Sequence, residues 1–468
     1  MEQFLKAIQF IVDLGPSVML PVVMTVLALC FRVSFGRALR SGMIIGVGFV
    51  GIGLVISLLT NNLGPAAHDM SQRFGMSLSV VDIGWPGASP LTWASRVAVL
   101  AIPVAILVNL LMLFTRTTRV VNVDIWNIWH FAFTGALVNL ATGSLAWGIF
   151  GVVVHSALAY KFGDWFAPVI EEYYELEGIA VPHGTSAYMG PVAVPVDWAI
   201  DRIPGIRDIN INSTLIEEKF GTFGEPMVLG GILGCIIGFL AGYDVRGVLT
   251  LGIQMAAVMV LMPKVVKCIM EGLLPISEAA KASLQKRFSG GNFYIGLDPA
   301  ILLGDSQVVS AGLIFVPLTI VIAILMPGNE VLPFGDLATI GFFIAMAVGI
   351  HKGNLFRTLI SGSIIMVITI WIANQTIALN TMLAKSVGSS LVVDEATRIA
   401  SLDQGGSPIT YLLTQVLGVM NVNGFMVIGI VYAFCIVFTA LIYRSRMAKK
   451  RAAVAAAKLS GVTAPHGA

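Results

Sequence analysis

Three ionisable residues stand where an apolar chain has no ordinary use for them. They are His130 in Trp129-His130-Phe131, His183 in Pro182-His183-Gly184, and Asp298 in Leu297-Asp298-Pro299. A neutral imidazole both donates and accepts hydrogen bonds, and a carboxylate can accept from two hydroxyls at once. Ionisable residues at membrane depth are functional candidates by default. Simpler roles stay open. His130 could be a structural histidine bonded to a neighbouring helix. Asp124 and Asp336 begin equivalent apolar stretches and read better as helix N-caps, worth about 1 kcal/mol each. Asp305 lies close enough to Asp298 to compete with it. His68, His155, His351 and His466 look peripheral, and residues 171–177 read as a solvated acidic face.

The elements that must position these residues are membrane helices. Hydrophobic residues make up 57% of the 468, charged residues 12%, and the mean hydropathy is +0.88. A soluble domain carries about twice that charge fraction. The composition predicts an all-α polytopic membrane protein. Apolar stretches of spanning length fall at roughly 8–31, 42–60, 97–115, 126–142, 144–160, 224–242, 247–263, 307–327, 334–350, 355–378 and 422–443. Eleven crossings put the termini on opposite sides. With the N-terminus outside, only Lys6, Arg73, Arg96, Arg246, Lys385 and Arg398 of the 28 Lys and Arg fall outside. That bias obeys the positive-inside rule. It predicts a periplasmic N-terminus and a cytoplasmic C-terminus. No cleavable signal is expected. Cys30, Cys235, Cys268 and Cys435 show no metal spacing and suggest no disulfide framework.

The chain also reads as two copies of one unit, offset by about 212 residues. Ile83-Gly84-Trp85-Pro86 is echoed by Ile295-Gly296-Leu297-Asp298-Pro299, and Val123-Asp124-Ile125 by Gly335-Asp336-Leu337. His183-Gly184-Thr185-Ser186 returns, at a spacing of 221, as Gln404-Gly405-Gly406-Ser407. Five spans per copy is an odd number, so tandem copies must be inverted in the membrane. The expected layout is a first repeat over about 8–222, a second over about 223–420, a final helix at about 422–443 and a basic, Ala-rich tail at 444–468.

Four segments do not span. Residues 84–93 and 296–305 are too short and too broken, and are expected to be re-entrant hairpins; interfacial loops are the alternative. Residues 178–196 and 402–410 combine prolines, glycines, hydroxyls and a polar side chain. Broken backbone at membrane depth leaves N–H and C=O groups that must face protein or a cavity. These segments supply the remaining candidates for substrate contact: Trp85, as an apolar face, with Ser89, Thr185, Ser186, Gln404 and Ser407. Gly230, Gly234, Gly238 and Gly242 repeat every four residues and argue for close helix packing.

Several classes are excluded. The chain has no G-x-x-x-x-G-K-[ST] loop, no arginine ladder and no repeated filter motif. Nothing points to a metal, a cofactor or nucleic acid. An ion-coupled secondary transporter for a polyol or sugar would share the repeat and the intramembrane acid, and stays open on these grounds.

A resemblance narrows the choice. The runs 14–21, 84–87, 118–130, 176–191, 296–299 and 403–408 closely resemble the galactitol-specific EIIC family of the bacterial phosphotransferase system, over about residues 8–443. That family belongs with the ascorbate EIIC proteins. The resemblance implies a homodimer with substrate-holding core domains and dimerising domains, working as an elevator in the inner membrane. It implies translocation of a polyol that a partner EIIB, charged through EIIA, phosphorylates at the inner face. Residue by residue it implies roles in substrate binding for His130, His183 and Asp298. Soluble EIIA and EIIB are expected as separate proteins. The basic stretch 264–287, with Lys281, Lys286 and Arg287, is expected to be an inside loop that meets EIIB.

Overall fold

A computed structural model of the chain describes residues 16–74, 80–212, 225–287, 293–333, 335–389, 398–418 and 427–445. The expected tail lies outside these residues apart from its first two positions. The first half runs α1 (Pro16–Cys30), α2 (Phe35–Arg73), β1 (Val80–Asp82), α3 (Gly84–Trp93), α4 (Ala98–Phe114), β2 (Val120–Asn122), α5 (Ile125–Thr142), α6 (Leu145–Glu172), β3 (Ile179–Ala180) and α7 (Gly190–Ile200). The second runs α8 (Pro226–Ala241), α9 (Val245–Arg287), β4 (Tyr294–Gly296), a 3-10 turn (Pro299–Gly304), α10 (Ser306–Leu325), β5 (Val331–Leu332), a second 3-10 turn (Leu337–Thr339), α11 (Ile340–Ile350), α12 (Leu355–Gln375), α13 (Ile377–Ser386), β6 (Ile399–Ala400) and α14 (Pro408–Leu417). A last helix, α15 (Val427–Ser445), follows.

The protein is a helical membrane protein. Among the described residues, α6, α10, α12 and α15 are long and apolar enough to cross a membrane, and shorter apolar helices accompany them. Its exterior is apolar: Val22 and Val26 on α1, Leu110 and Leu111 on α4 and Ile253 on α9 are each more than half exposed. Its interior holds the polar residues, His130, Asp124, Asp336 and Gln404 among them. That inversion is what a lipid solvent demands.

Where its residues are described, each apolar stretch named above falls mainly on a helix, but two boundaries differ. The helices α2 and α9 run for 39 and 43 residues, about 58 and 64 Å at 1.5 Å per residue. A bilayer core is about 30 Å thick. The expected inside loop at 264–287 is therefore helix. Its Ser-Glu-Ala-Ala-Lys-Ala run has high helix propensity, and Pro263 and Pro275 do not stop it. The side chains of Lys281, Lys286 and Arg287 lie outside the described residues. The helix α13 is also unexpected, since it continues to Ser386, past the stretch predicted at 355–378.

Helices α1, α2, α8 and α9 pack on one another, and α4 to α7 and α10 to α14 pack mainly among themselves. The glycine repeat sits on the α8–α9 contact. A Cβ at Gly230 would lie 2.5 Å from Met259 Cγ, and one at Gly234 would lie 2.7 Å from the Leu251 carbonyl oxygen.

Among the described residues, six short strands join the halves. Their order is β5-β1-β6 in one parallel sheet and β2-β4-β3 in the other. Each sheet takes its central strand from one half and both flanking strands from the other. Gly84 has φ +60°, and a Cβ there would lie 2.4 Å from the Gly335 carbonyl carbon. The segment 84–93, expected to be a hairpin, is instead one continuous helix, and its first residue touches the second half backbone to backbone, which only glycine allows.

Candidate functional site

The strands deliver four segments to one buried place. The helix α5 starts just after β2, with the Asp124 carboxylate accepting from Trp126 N–H (3.0 Å). That cap was expected. One turn further, α5 carries His130, which is fully buried. The chain after β3 turns through residues 181–189 before α7 and carries His183, Thr185 and Ser186. The chain after β4 carries Asp298, and the chain after β6 carries Asp403, Gln404 and Ser407.

Two histidine–carboxylate pairs meet here. Gly184 N–H donates to His130 Nδ1 (3.1 Å), and Thr185 N–H donates to His183 Nδ1 (3.3 Å). An accepting Nδ1 places the proton of a neutral ring on Nε2. His130 Nε2 lies 3.4 Å from Asp403 Oδ2, and His183 Nε2 lies 3.2 Å from Asp298 Oδ2. The ring centroids are 4.0 Å apart, edge to face. His130, His183 and Asp298 therefore do come together, as the sequence suggested.

The remaining candidates divide. The Thr185 hydroxyl donates to Asp403 Oδ1, and Gln404 Nε2 donates to the same oxygen (3.1 Å). Gln404 Oε1 and the Ser186 hydroxyl are buried with no hydrogen-bond partner among the described residues. Trp85 is half-buried and packs edge-on against Trp126 at 5.4 Å. Ser89 is buried on α3. Ser407 takes a structural place instead, capping α14 through Thr410 N–H (3.5 Å). Asp305 is also a cap: it accepts from Gln307 and Val308 N–H at 2.9 and 3.0 Å, and from the Tyr173 hydroxyl.

Sequence reasoning missed Asp403. The strand register explains why. Ile179 and Ala180 pair with β4 as Ile399 and Ala400 pair with β1, so the offset here is 220 and not 221. At 220, His183 falls opposite Asp403. The single-residue slip pointed to Gln404.

Two histidines read as peripheral are buried. His155 is fully enclosed on α6; its Nδ1 lies 2.6 Å from Thr134 Oγ1, which lies 2.7 Å from Thr410 Oγ1. His351 sits between Asp197 (2.9 Å) and Ser361 (2.8 Å). A helix that looks lipid-facing in sequence hides whichever face its neighbours cover. The side chain of His68, and all of His466, lie outside the described residues.

The cluster contains no lysine or arginine. Asp298 and Asp403 are instead held by N–H and hydroxyl donors, the way a low-dielectric interior tolerates carboxylates. What remains on offer is a set of neutral donors and strong acceptors aimed at one place, which matches a neutral polyhydroxy compound. Among the described residues there is no cluster able to hold a metal ion.

Comparison with known proteins agrees with this chemistry. Residues 10–394 match the family described as PTS system sugar-specific permease component. The chain is 59% identical over 429 residues, 92% of its length and 94% of the relative's, to the PTS system galactitol-specific EIIC component of Escherichia coli (strain K12). The protein of the same name from Escherichia coli O157:H7 matches equally. A putative permease IIC component of Escherichia coli (strain K12) is 41% identical over 416 residues, covering 88% of this chain and 94% of that protein. The chain belongs to the sugar-specific permease components of the phosphotransferase system.

Proposed function

We propose that the chain carries galactitol, an acyclic hexitol, across the inner membrane while a partner EIIB phosphorylates it at the cytoplasmic face. The observation that carries the reading is the 59% identity, over 92% of this chain, to a galactitol-specific EIIC component. The site supports it. His130, His183, Asp298, Asp403, Thr185, Ser186 and Gln404 offer neutral donors and strong acceptors to hydroxyls, and Trp85 offers a flat face to the carbon chain. Phosphoryl transfer depends heavily on placement, which such contacts supply. EIIB receives its phosphoryl group from EIIA.

The architecture proposed with it is a homodimer of inverted repeats, with eleven crossings and two re-entrant segments, one carrying the helix 84–93 and the other the strand end and 3-10 turn of 296–305. The N-terminus is periplasmic and the C-terminus cytoplasmic. The strand exchange supports the repeat: β1 and β4, β2 and β5, and β3 and β6 hold matching places in the two sheets. The grouping of α1, α2, α8 and α9 supports a dimerising part beside which the site-bearing part moves as an elevator. Lipid covers the apolar exterior. The basic end of α9, at Lys281, Lys286 and Arg287, attracts the phosphate carried by EIIB.

The test is vectorial phosphorylation. Vesicles containing the chain, EIIA, EIIB, the general carriers and phosphoenolpyruvate should accumulate galactitol phosphate, and should accumulate nothing when EIIB is omitted. Uptake of free galactitol without EIIB would overturn the reading in favour of an ion-coupled carrier.

A further inference from the structure

Behind the site lie two more carboxylates in matched positions. Asp298 N–H donates to Asp124 Oδ2 (3.1 Å), and Asp403 N–H donates to Asp336 Oδ2 (2.8 Å). Each of these second carboxylates also holds a tryptophan by its backbone. Asp124 Oδ1 accepts from Trp126 N–H (3.0 Å), and Asp336 Oδ1 accepts from Trp85 N–H (2.8 Å). The two indoles then pack against each other at 5.4 Å. Asp336 was expected to cap its own helix, as Asp124 does, but its side chain makes no such bond. Its partners lie 251 and 67 positions away in the chain. Asp82 holds it in turn, accepting from Asp336, Gly84 and Leu402 N–H at 3.0 Å each.

We propose that Asp124 and Asp336 are matched positioning residues, each fixing one site carboxylate and one tryptophan backbone, so that together they set the geometry of the polyol site. Neither touches the ligand. Asp336 acts through Asp403 and Trp85, and Asp124 acts through Asp298. The physical reason is the cost of misplacement. A carboxyl group that accepts from one backbone donor on each of its two oxygens fixes both segments at once. A hydroxyl array with defined stereochemistry needs donors and acceptors held within a fraction of an ångström. The proposal rests on the galactitol reading above.

A double-mutant cycle tests it on the full-length purified chain, with galactitol as the probe. Asp336→Asn and Asp124→Asn each keep the side-chain shape and lose one backbone acceptor. Each should weaken galactitol binding by roughly tenfold, and should raise KM for vectorial phosphorylation more than it lowers kcat. The coupling should be selective. Asp336→Asn should be strongly non-additive with Asp403→Asn and near-additive with Asp298→Asn; Asp124→Asn should show the reverse. A purely structural role would lower stability without that pairing. Asp336→Glu and Asp124→Glu keep the charge but displace it, and serve if an Asn variant does not fold. Unchanged affinity, or indiscriminate coupling, would overturn the proposal. So would loss of folded protein in all four variants, which would assign these carboxylates to the fold. If the unmodified chain fails to bind galactitol while a different hexitol binds, the substrate reading has failed, and the same cycle is run with that hexitol.

Discussion

In the β5-β1-β6 sheet the central strand ends in Asp82, whose carboxylate gathers three backbone N–H groups from both halves. In the β2-β4-β3 sheet the residue at the same register is Gly296, pairing with Ala180 as Asp82 pairs with Ala400. A side chain there would be crowded: a Cβ on Gly296 would lie 3.0 Å from both Pro182 and Val120 side chains. The next position along the path differs as well. The chain leaving β6 presents Asp403, and the chain leaving β3 presents His183. Both site histidines come from the first half and both site carboxylates from the second. Matching backbones thus carry unlike chemistry, and neither half contains a complete histidine–carboxylate pair. A ligand bound here is held by residues of both halves.

The sharpest way to break this comparison is to remove the carboxylate of the β4 side. Asp298→Ala should weaken galactitol binding by about a hundredfold, as two charge-assisted contacts of roughly 1.5 kcal/mol each are lost. Titration calorimetry on purified protein would measure it; unaltered affinity would place the ligand elsewhere. The β6 side is predicted to matter less, because Gln404 and Thr185 remain to bind. Asp403→Asn should cost about tenfold in affinity, or roughly 1.4 kcal/mol. If it costs more than Asp298→Ala, the ranking of the two pairs is reversed.

Crowding gives a smaller effect. A Cβ on Gly184 would lie 2.8 Å from His130 Nδ1 and 2.9 Å from Gln404 Nε2. Gly184→Ala should therefore push both side chains and lower stability by about 1–3 kcal/mol, with a several-fold loss of affinity. Equal affinity in a binding titration would show that His130 and Gln404 are free to move. The smallest effect on binding is expected at Asp305. As the cap of α10 it should contribute about 1 kcal/mol to stability, so Asp305→Ala should lower the Tm and leave galactitol affinity as it was. A large drop in affinity would return Asp305 to the site.

Much of this was legible in the residues. His130, His183 and Asp298 stood out because an ionisable group is costly in an apolar run, and all three converge. The local signature of a helix cap located Asp124 correctly and misread Asp336, because an N-cap motif reports only on the next few residues. Asp403 was hidden by a one-residue slip between two Gly-rich segments, in which several alignments look alike. His155 looked peripheral because its helix is apolar on all sides, and sequence carries no label for the face that Phe131 and Tyr188 cover.

By itself the sequence determined the solvent and the placement of the apolar helices. Apolar runs of membrane length must be helical, because lipid satisfies no backbone hydrogen bond, and the apolar stretches, where described, do fall mainly on helices. It also determined which side chains are chemically out of place. Tertiary structure decided their pairing. The strands that join the halves are two or three residues long, too short to leave a periodic signal. Their register depends on backbone contacts between residues more than 60 positions apart, such as Val80 with Val331 and Ile179 with Ile295. Only that register places Asp403 opposite His130 and lets Asp336 reach both Trp85 and Asp403, since a hydrogen bond is made over about 3 Å of space whatever the distance along the chain.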